Sequence, residues 1–176
     1  MTHRPVGPRA AVIALTAAAA LAVASATSPA DEGASVFRAD LVPYTSERSG
    51  VVVNSGVSAR ATVVAPAAKD TSTVRMHAEG LTPGQSYGVH VHFGGCSAFQ
   101  GHFRYVTAGP GTRDNEVWLD LEANPAGRAH DQVKVPRFAA AGLSLVIHEK
   151  ANPDRVADPV GFPGKRIACG NLLPRP

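Results

Sequence analysis

Between Ser35 and Pro176 no stretch sustains a helical period; apolar residues gather instead in short runs cut apart by turn residues. The runs are Val51 to Val53, Ala61 to Val64, Val74 to Met76, Tyr87 to Val91, Val117 to Leu121, Gln132 to Val135 and Leu143 to Ile147. Between them stand Asn54-Ser55-Gly56, Thr82-Pro83-Gly84, Ala108-Gly109-Pro110-Gly111 and Asn124-Pro125-Ala126-Gly127, all of which supply turn chemistry. Where a run alternates, as in Val117-Trp118-Leu119-Asp120-Leu121, it has the two-residue period of a half-buried strand. Strands at this spacing predict an all-β sandwich or Greek-key barrel. Composition agrees: 17 Gly and 14 Pro suit turns, while 6% aromatic residues and two Met leave little for a helical-bundle core. A chain of 176 residues, 44% of them hydrophobic, has material for one domain with a real core.

The N-terminal segment reads differently. His3, Arg4 and Arg9 precede the uncharged run Ala10 to Ala26, which ends in Ala24-Ser25-Ala26. A positive start, an apolar middle and a small-x-small end define a secretory signal peptide over residues 1–26. The competing role, a retained membrane anchor, asks for about 20 strongly apolar residues, and alanine is only weakly hydrophobic. The expectation is an exported protein, extracellular or in the cell envelope, with no membrane span after processing. Residues 27–34 would then form a flexible lead-in, and residues 35–176 the β-domain. Removing Arg4 and Arg9 takes Lys+Arg from 17 to 15 against 14 acids, so a formal +3 becomes +1. No basic cluster survives, which argues against a nucleic-acid partner. Export also permits the two cysteines, Cys96 and Cys169, to pair, the alternatives being free thiols or a metal pair.

Of seven histidines, four stand where metal chemistry would want them. His90 and His92 sit in Gly88-Val89-His90-Val91-His92; on a strand, i and i+2 share a face, so both imidazoles can converge on one ion. Alone, such a pair is more often an ordinary surface pair. His102 follows in Gly101-His102-Phe103, beyond a glycine-bounded loop holding Cys96, and His148 ends the run Leu145-Val146-Ile147-His148. Imidazoles without a cysteine ligand suit copper or zinc, and redox-cycling copper tolerates variable coordination better. Arg166 lies three residues before Cys169. If the cysteines pair, that arginine comes towards the His92–His102 loop; otherwise it is a solvated surface charge.

Taken together and in order, these segments resemble the copper/zinc superoxide dismutase family: Gly88 to His92, Cys96 with Gly101-His102-Phe103, Leu145 to Ala151, and Gly164-Lys165-Arg166-Ile167-Ala168-Cys169-Gly170. Leu81-Thr82-Pro83-Gly84 is similar to the family's turn before the histidine pair. The resemblance spans about Leu81 to Leu173; the N-terminal third matches only as strand pattern. It implies an eight-stranded Greek-key β-barrel with long loops carrying the metal site. It implies His90, His92, His102 and His148 as copper ligands, a Cys96–Cys169 disulfide, and Arg166 as guide for the superoxide anion, the substrate. The implied reaction is disproportionation of superoxide to dioxygen and hydrogen peroxide, with His102 carrying a proton. A copper-binding or copper-buffering protein of the cell envelope, without turnover, is the alternative on the same scaffold.

The chain departs from the family where zinc should bind. No histidine lies between His102 and His130, and the stretch Phe103 to Glu116 offers only Asp114 and Glu116 as acidic ligands. The family's aspartate four residues after the last copper histidine is replaced by Asn152, and 17 residues separate His148 from Arg166. This pattern is similar to the family's copper-only branch, with zinc expected to be absent. His102 then needs another partner on its second nitrogen. Glu116 is our expectation, since a carboxylate there fixes the tautomer. His130 is expected on the surface, and His77 as a half-buried or surface side chain rather than a ligand.

Overall fold

A computed structural model of the chain describes residues 33–44, 56–98, 100–153 and 164–175. The signal segment, most of residues 27–34 and the run Val51 to Val53 lie outside the described residues. Nine strands are present among those described: β1 (Ser35–Pro43), β2 (Ser58–Ala65), β3 (Thr71–Glu79), β4 (Ser86–Phe93), β5 (Trp118–Glu122), β6 (Ala129–Pro136), β7 (Leu143–His148), β8 (Arg166–Asn171) and the two-residue β9 (Leu173–Pro174). Eight of them follow one hydrogen-bonded path, β5-β4-β7-β8-β1-β2-β3-β6, and β9 pairs with β1. All pairings are antiparallel.

The two ends of this path, β5 and β6, come together where the Asp120 amide donates to Asp131 Oδ2 at 2.8 Å. The sheet is therefore a nearly closed barrel, which removes the open edges a flat sheet would expose. The connections β3–β4 and β6–β7 cross between strands that are not neighbours, as a Greek key requires. Relative to the eight strands expected, the extra element is only the short β9.

Alternation decides which side chains fill the barrel. On β2 and β3 every second residue is buried, putting Ala61, Val63, Val74 and Met76 inside and Arg60, Arg75 and His77 outside. β4 and β7 are buried on both faces. Their inward residues, Val89, Val91, Leu145 and Ile147, join Leu119 and Leu121 in the core. Their outward residues, His90, His92, Ser144 and His148, are buried as well. Sheets covered on both sides lose the polar alternation, so a layer must lie over this outer face. It comes from the loop between β4 and β5.

That loop is tied down covalently. Cys96 and Cys169 form a disulfide, with 5.9 Å between their Cα atoms, and the Cys96 amide donates to Asn171 Oδ1 at 2.8 Å. Both partners belong to β8. β8 in turn packs close to β1 because Gly170 has no side chain: a Cβ there would stand 2.6 Å from Asp40 O. The disulfide closes a separation of 73 residues, for which chain entropy gives about 4 kcal/mol. Reducing it, or the Cys96→Ser variant, should lower the Tm by roughly 10 °C in thermal melts monitored by circular dichroism. A Tm unmoved by reduction would show that the loop does not need the bond.

Candidate metal centre

Strand period brings the first two imidazoles together. His90 and His92 point outward from β4 with ring centroids 6.5 Å apart. β7 runs antiparallel beside β4, and its last residue, His148, lies 4.9 Å from the His90 ring and 5.5 Å from the His92 ring. The fourth imidazole arrives from the loop. The free edge of β4 is paired with β5 only as far as His90 and Trp118; beyond that, Phe93 N donates to Gly101 O at 3.0 Å and Phe103 N to Val91 O at 2.8 Å. His102 is thereby set opposite His92, its ring 4.7 Å from His92 and 4.0 Å from His90. The donor atoms of all four histidines lie within 4.8 Å of one another. His90, His92 and His148 are 1%, 1% and 3% exposed, whereas the His102 side chain is 22% exposed and is the one water reaches.

Hydrogen bonds on the far nitrogens reveal what these rings are arranged to do. Asn152 Nδ2 donates to Leu119 O (2.8 Å) and Asp120 Oδ1 (2.7 Å), so its Oδ1 must face His90 Nε2, at 2.5 Å. His90 therefore carries its proton on Nε2 and presents the Nδ1 lone pair inward. His102 Nδ1 donates to Glu116 Oε2 at 2.7 Å, leaving the Nε2 lone pair inward. His148 Nδ1 faces Gly164 O at 3.4 Å, a weaker version of the same arrangement. Inside the cluster, His90 Nδ1 lies 2.9 Å from His102 Nε2, and His92 Nε2 lies 3.2 Å from His148 Nε2. Between His90 and His102 two lone pairs face each other and cannot hydrogen-bond. Metal–imidazole bonds of about 2.0–2.1 Å place adjacent ligand atoms about 2.8–3.4 Å apart, so both contacts have the spacing of neighbouring ligands on one metal ion. Nitrogen donors without thiolate suit copper or zinc.

Burial keeps the three strand-borne imidazoles neutral. His90 is lowered well below the ordinary 6.5, first by desolvation, then by the charges of His102 and His148. Desolvation, followed by His102, lowers His92 to about 2 and His148 to about 4; the Arg166 guanidinium adds to both. Glu116 behaves oppositely. Burial alone would raise it, yet hydrogen bonds from His102, Trp118 and Arg104 bring it below its usual value. Trp118 Nε1 donates to Oε2 at 2.7 Å and Arg104 Nε to Oε1 at 2.9 Å.

The expected residues thus fall into one region. The four histidines converge, Glu116 meets His102, and Arg166 stands opposite His148 across a β-bulge between β7 and β8. His77 and His130 are exposed and stack on each other across β3 and β6, 5.9 Å between centroids, with no part in the cluster. Two residues escape sequence reasoning: Arg104, which holds Glu116, and Trp118, which the sequence shows only as part of an alternating strand run. Asn152, which stands where the family has an aspartate, tethers His90, its amide oxygen taking the Nε2 proton. Gly88 makes room for this, since a Cβ there would collide with Asn152 Oδ1. Among the described residues this is the one His/Cys/Asp/Glu group close enough to hold a metal.

The family model described as copper/zinc superoxide dismutase (SODC) matches residues 57–172, and the chain belongs to that family. Two solved structures are similar in fold. A SOD-like protein from Bacillus subtilis is 22% identical, with a TM-score of 0.57 over 78% of this chain and 99% of that one. A double mutant of a SOD-like protein from the same organism is 23% identical, with a TM-score of 0.51 over 78% and 98%. No curated protein matches.

The lowered imidazoles set a pH dependence for the metal-free chain. Between pH 6.5 and about 4 the unfolded chain takes up protons at His90, His92 and His148 that the folded chain refuses, so stability falls as pH falls. Below about 4, His148 protonates in the fold too and its share of the loss levels off. Urea midpoints at pH 7.5 and pH 5 should be lower at pH 5; equal midpoints would contradict neutral, buried rings.

Proposed function

We propose that the protein is an exported, copper-dependent superoxide dismutase that works without zinc. The observation carrying this is the set of far-nitrogen acceptors, which turn imidazole lone pairs onto one point inside a water-poor wall. The chemistry a bound copper supplies is one-electron cycling, by which two superoxide anions and two protons become dioxygen and hydrogen peroxide. His90, His92 and His148 hold their positions as buried neutral donors. His102 is the exposed ring, so it is suited to hold a proton at Nε2 and pass it to an oxygen arriving from solvent. Glu116 keeps the other nitrogen of that ring committed. Arg166, across from His148 and near enough for its charge to act on His92 and His148, attracts the anion.

The Arg166 position favours turnover over copper storage, since a store needs no anion guide. Zinc has no room in this account, because His102 Nδ1 is spent on Glu116. Metal analysis of the copper-loaded chain should give one copper and no bound zinc; stoichiometric zinc beside the copper would refute that part.

Superoxide consumption by the loaded chain tests the rest. His148→Ala should abolish activity and leave the barrel folded. Arg166→Glu should keep its copper and lose about tenfold or more in rate, and the parent rate should fall with salt, as screened steering does. Tight copper binding with no turnover would establish the storage role instead.

A further inference from the structure

The Glu116 carboxylate is 1% exposed, and two of its three side-chain donors are the indole N–H of Trp118 and the imidazole N–H of His102. Among the described residues the fixed cation bound to it is Arg104, whose Nε–Oε1 distance is 2.9 Å. The contact is built in from several sides. Arg104 and Glu116 are bridged through their backbones, and Tyr105 N donates to Asn115 O at 2.9 Å, so residues 104–116 close as a hairpin. Arg104 Nη1 also donates to Gly109 O at 3.0 Å, which fixes the guanidinium plane. At Gly111 a Cβ would stand 2.9 Å from Glu116 Oε1 and 3.0 Å from Arg104 Nη2, so a bare backbone is needed for the pair to close. Asn115 Nδ2 braces the turn through Val106 O and Pro110 O.

A carboxylate has two oxygens and can rotate. With Oε1 taken by Arg104, Oε2 is left to His102 Nδ1 and Trp118 Nε1 together. Orientation of Glu116 then determines which nitrogen of His102 bears the proton, and so which lone pair faces the other histidines. We propose that Arg104 is a positioning residue for the metal centre: it locks Glu116 behind His102, and the resulting ion pair occupies the His102 nitrogen that a second metal would require. Arg104 does this from the loop surface, 36% exposed, without touching any of the four histidine donor atoms through its assigned bonds. The inference rests on the copper reading above and adds the residue that holds its outer support.

The test is a double-mutant cycle read by copper affinity of the full chain, measured by competition with a chelator. Arg104→Met removes the charge at similar volume and should weaken copper binding about tenfold or more, the usual effect of losing an outer support. Glu116→Gln should weaken it comparably. If Arg104 acts through Glu116, the double variant should be no weaker than Glu116→Gln alone, because the two losses are one loss. Arg104→Lys, which keeps charge but cannot reach both Oε1 and Gly109 O, should fall between parent and Arg104→Met. The electron paramagnetic resonance spectrum of bound Cu(II) should change in Arg104→Met and recover towards the parent in Arg104→Lys. Urea midpoints establish that each variant is folded; should Arg104→Met not fold, Arg104→Lys carries the same cycle. Unchanged affinity in the Arg104 variants, or losses that add in the double variant, would overturn the proposal. Copper binding by the parent is the separate check on the copper reading: if the parent binds none, both fall, and if it binds while the cycle fails, only the role of Arg104 does.

Discussion

The site depends on how one edge of β4 is satisfied. Backbone N–H and C=O groups along a buried edge must find partners. β5 supplies them only up to His90; from Val91 to Phe93 they come from Val117 and from Gly101 to Phe103, doubled back from the same loop. That pairing fixes His102 opposite His92 to within one residue, because a slip of one would turn the imidazole to the other face. His90 and His92 come from strand period, and His148 from the β4–β7 register. The four-histidine cluster is therefore a product of backbone hydrogen bonding, with side-chain contacts refining the orientation of each ring.

Once placed, the rings are kept in a state they would not choose in water. Desolvation holds three of them neutral, and acceptors on the far side turn lone pairs inward. Facing lone pairs at about hydrogen-bond distance repel, so the metal-free cluster is a source of instability that the barrel and the disulfide must outweigh. A metal ion reverses the sign of that interaction, and binding free energy adds to folding free energy. The same layout separates duties by charge. Acceptors lie behind the rings, and the cations Arg104 and Arg113 sit behind the acceptors, with Arg113 bound to Asp120 at 2.8 Å and so to the support of Asn152.

Strand cores, turns and the histidine spacing were legible in the sequence because each is a local pattern. Apolar runs at β2 to β7 mark the strands, and the His-x-His pair shows its common face in the primary structure. β1 and β8 were harder. In Ser35–Pro43 apolar residues fall on both parities, since β1 pairs with β2 along most of its length and with β8 and β9 near its ends. β8 is preceded by Lys165, opens on Arg166 and holds Gly170 within it, which read as loop; the glycine is there for close packing against Asp40. Arg104 was illegible for a different reason. Its role needs the hairpin 104–116 to close, and nothing in a lone arginine after an aromatic residue signals a partner twelve positions away. Asn152 was seen as a lost carboxylate, but its use depends on an amide flip settled by Leu119 O and Asp120, which only the folded chain brings together.

The loop from Gly94 to Val117 is held without any metal in three ways. A covalent bond fixes Cys96, the β4 edge fixes Gly101 to Phe103, and the Arg104–Glu116 pair fixes its far end. Each works on a different part of the loop, so ordering one shortens the free segment the next must close, and closure entropy falls with segment length. Of the four rings, His102, carried by this loop, is the one exposed to solvent, while the three strand-borne rings are buried in the barrel wall. Rigid ligands on strands and one accessible ligand on a pinned loop is the division a site needs if it is to hold an ion tightly and still exchange protons with water.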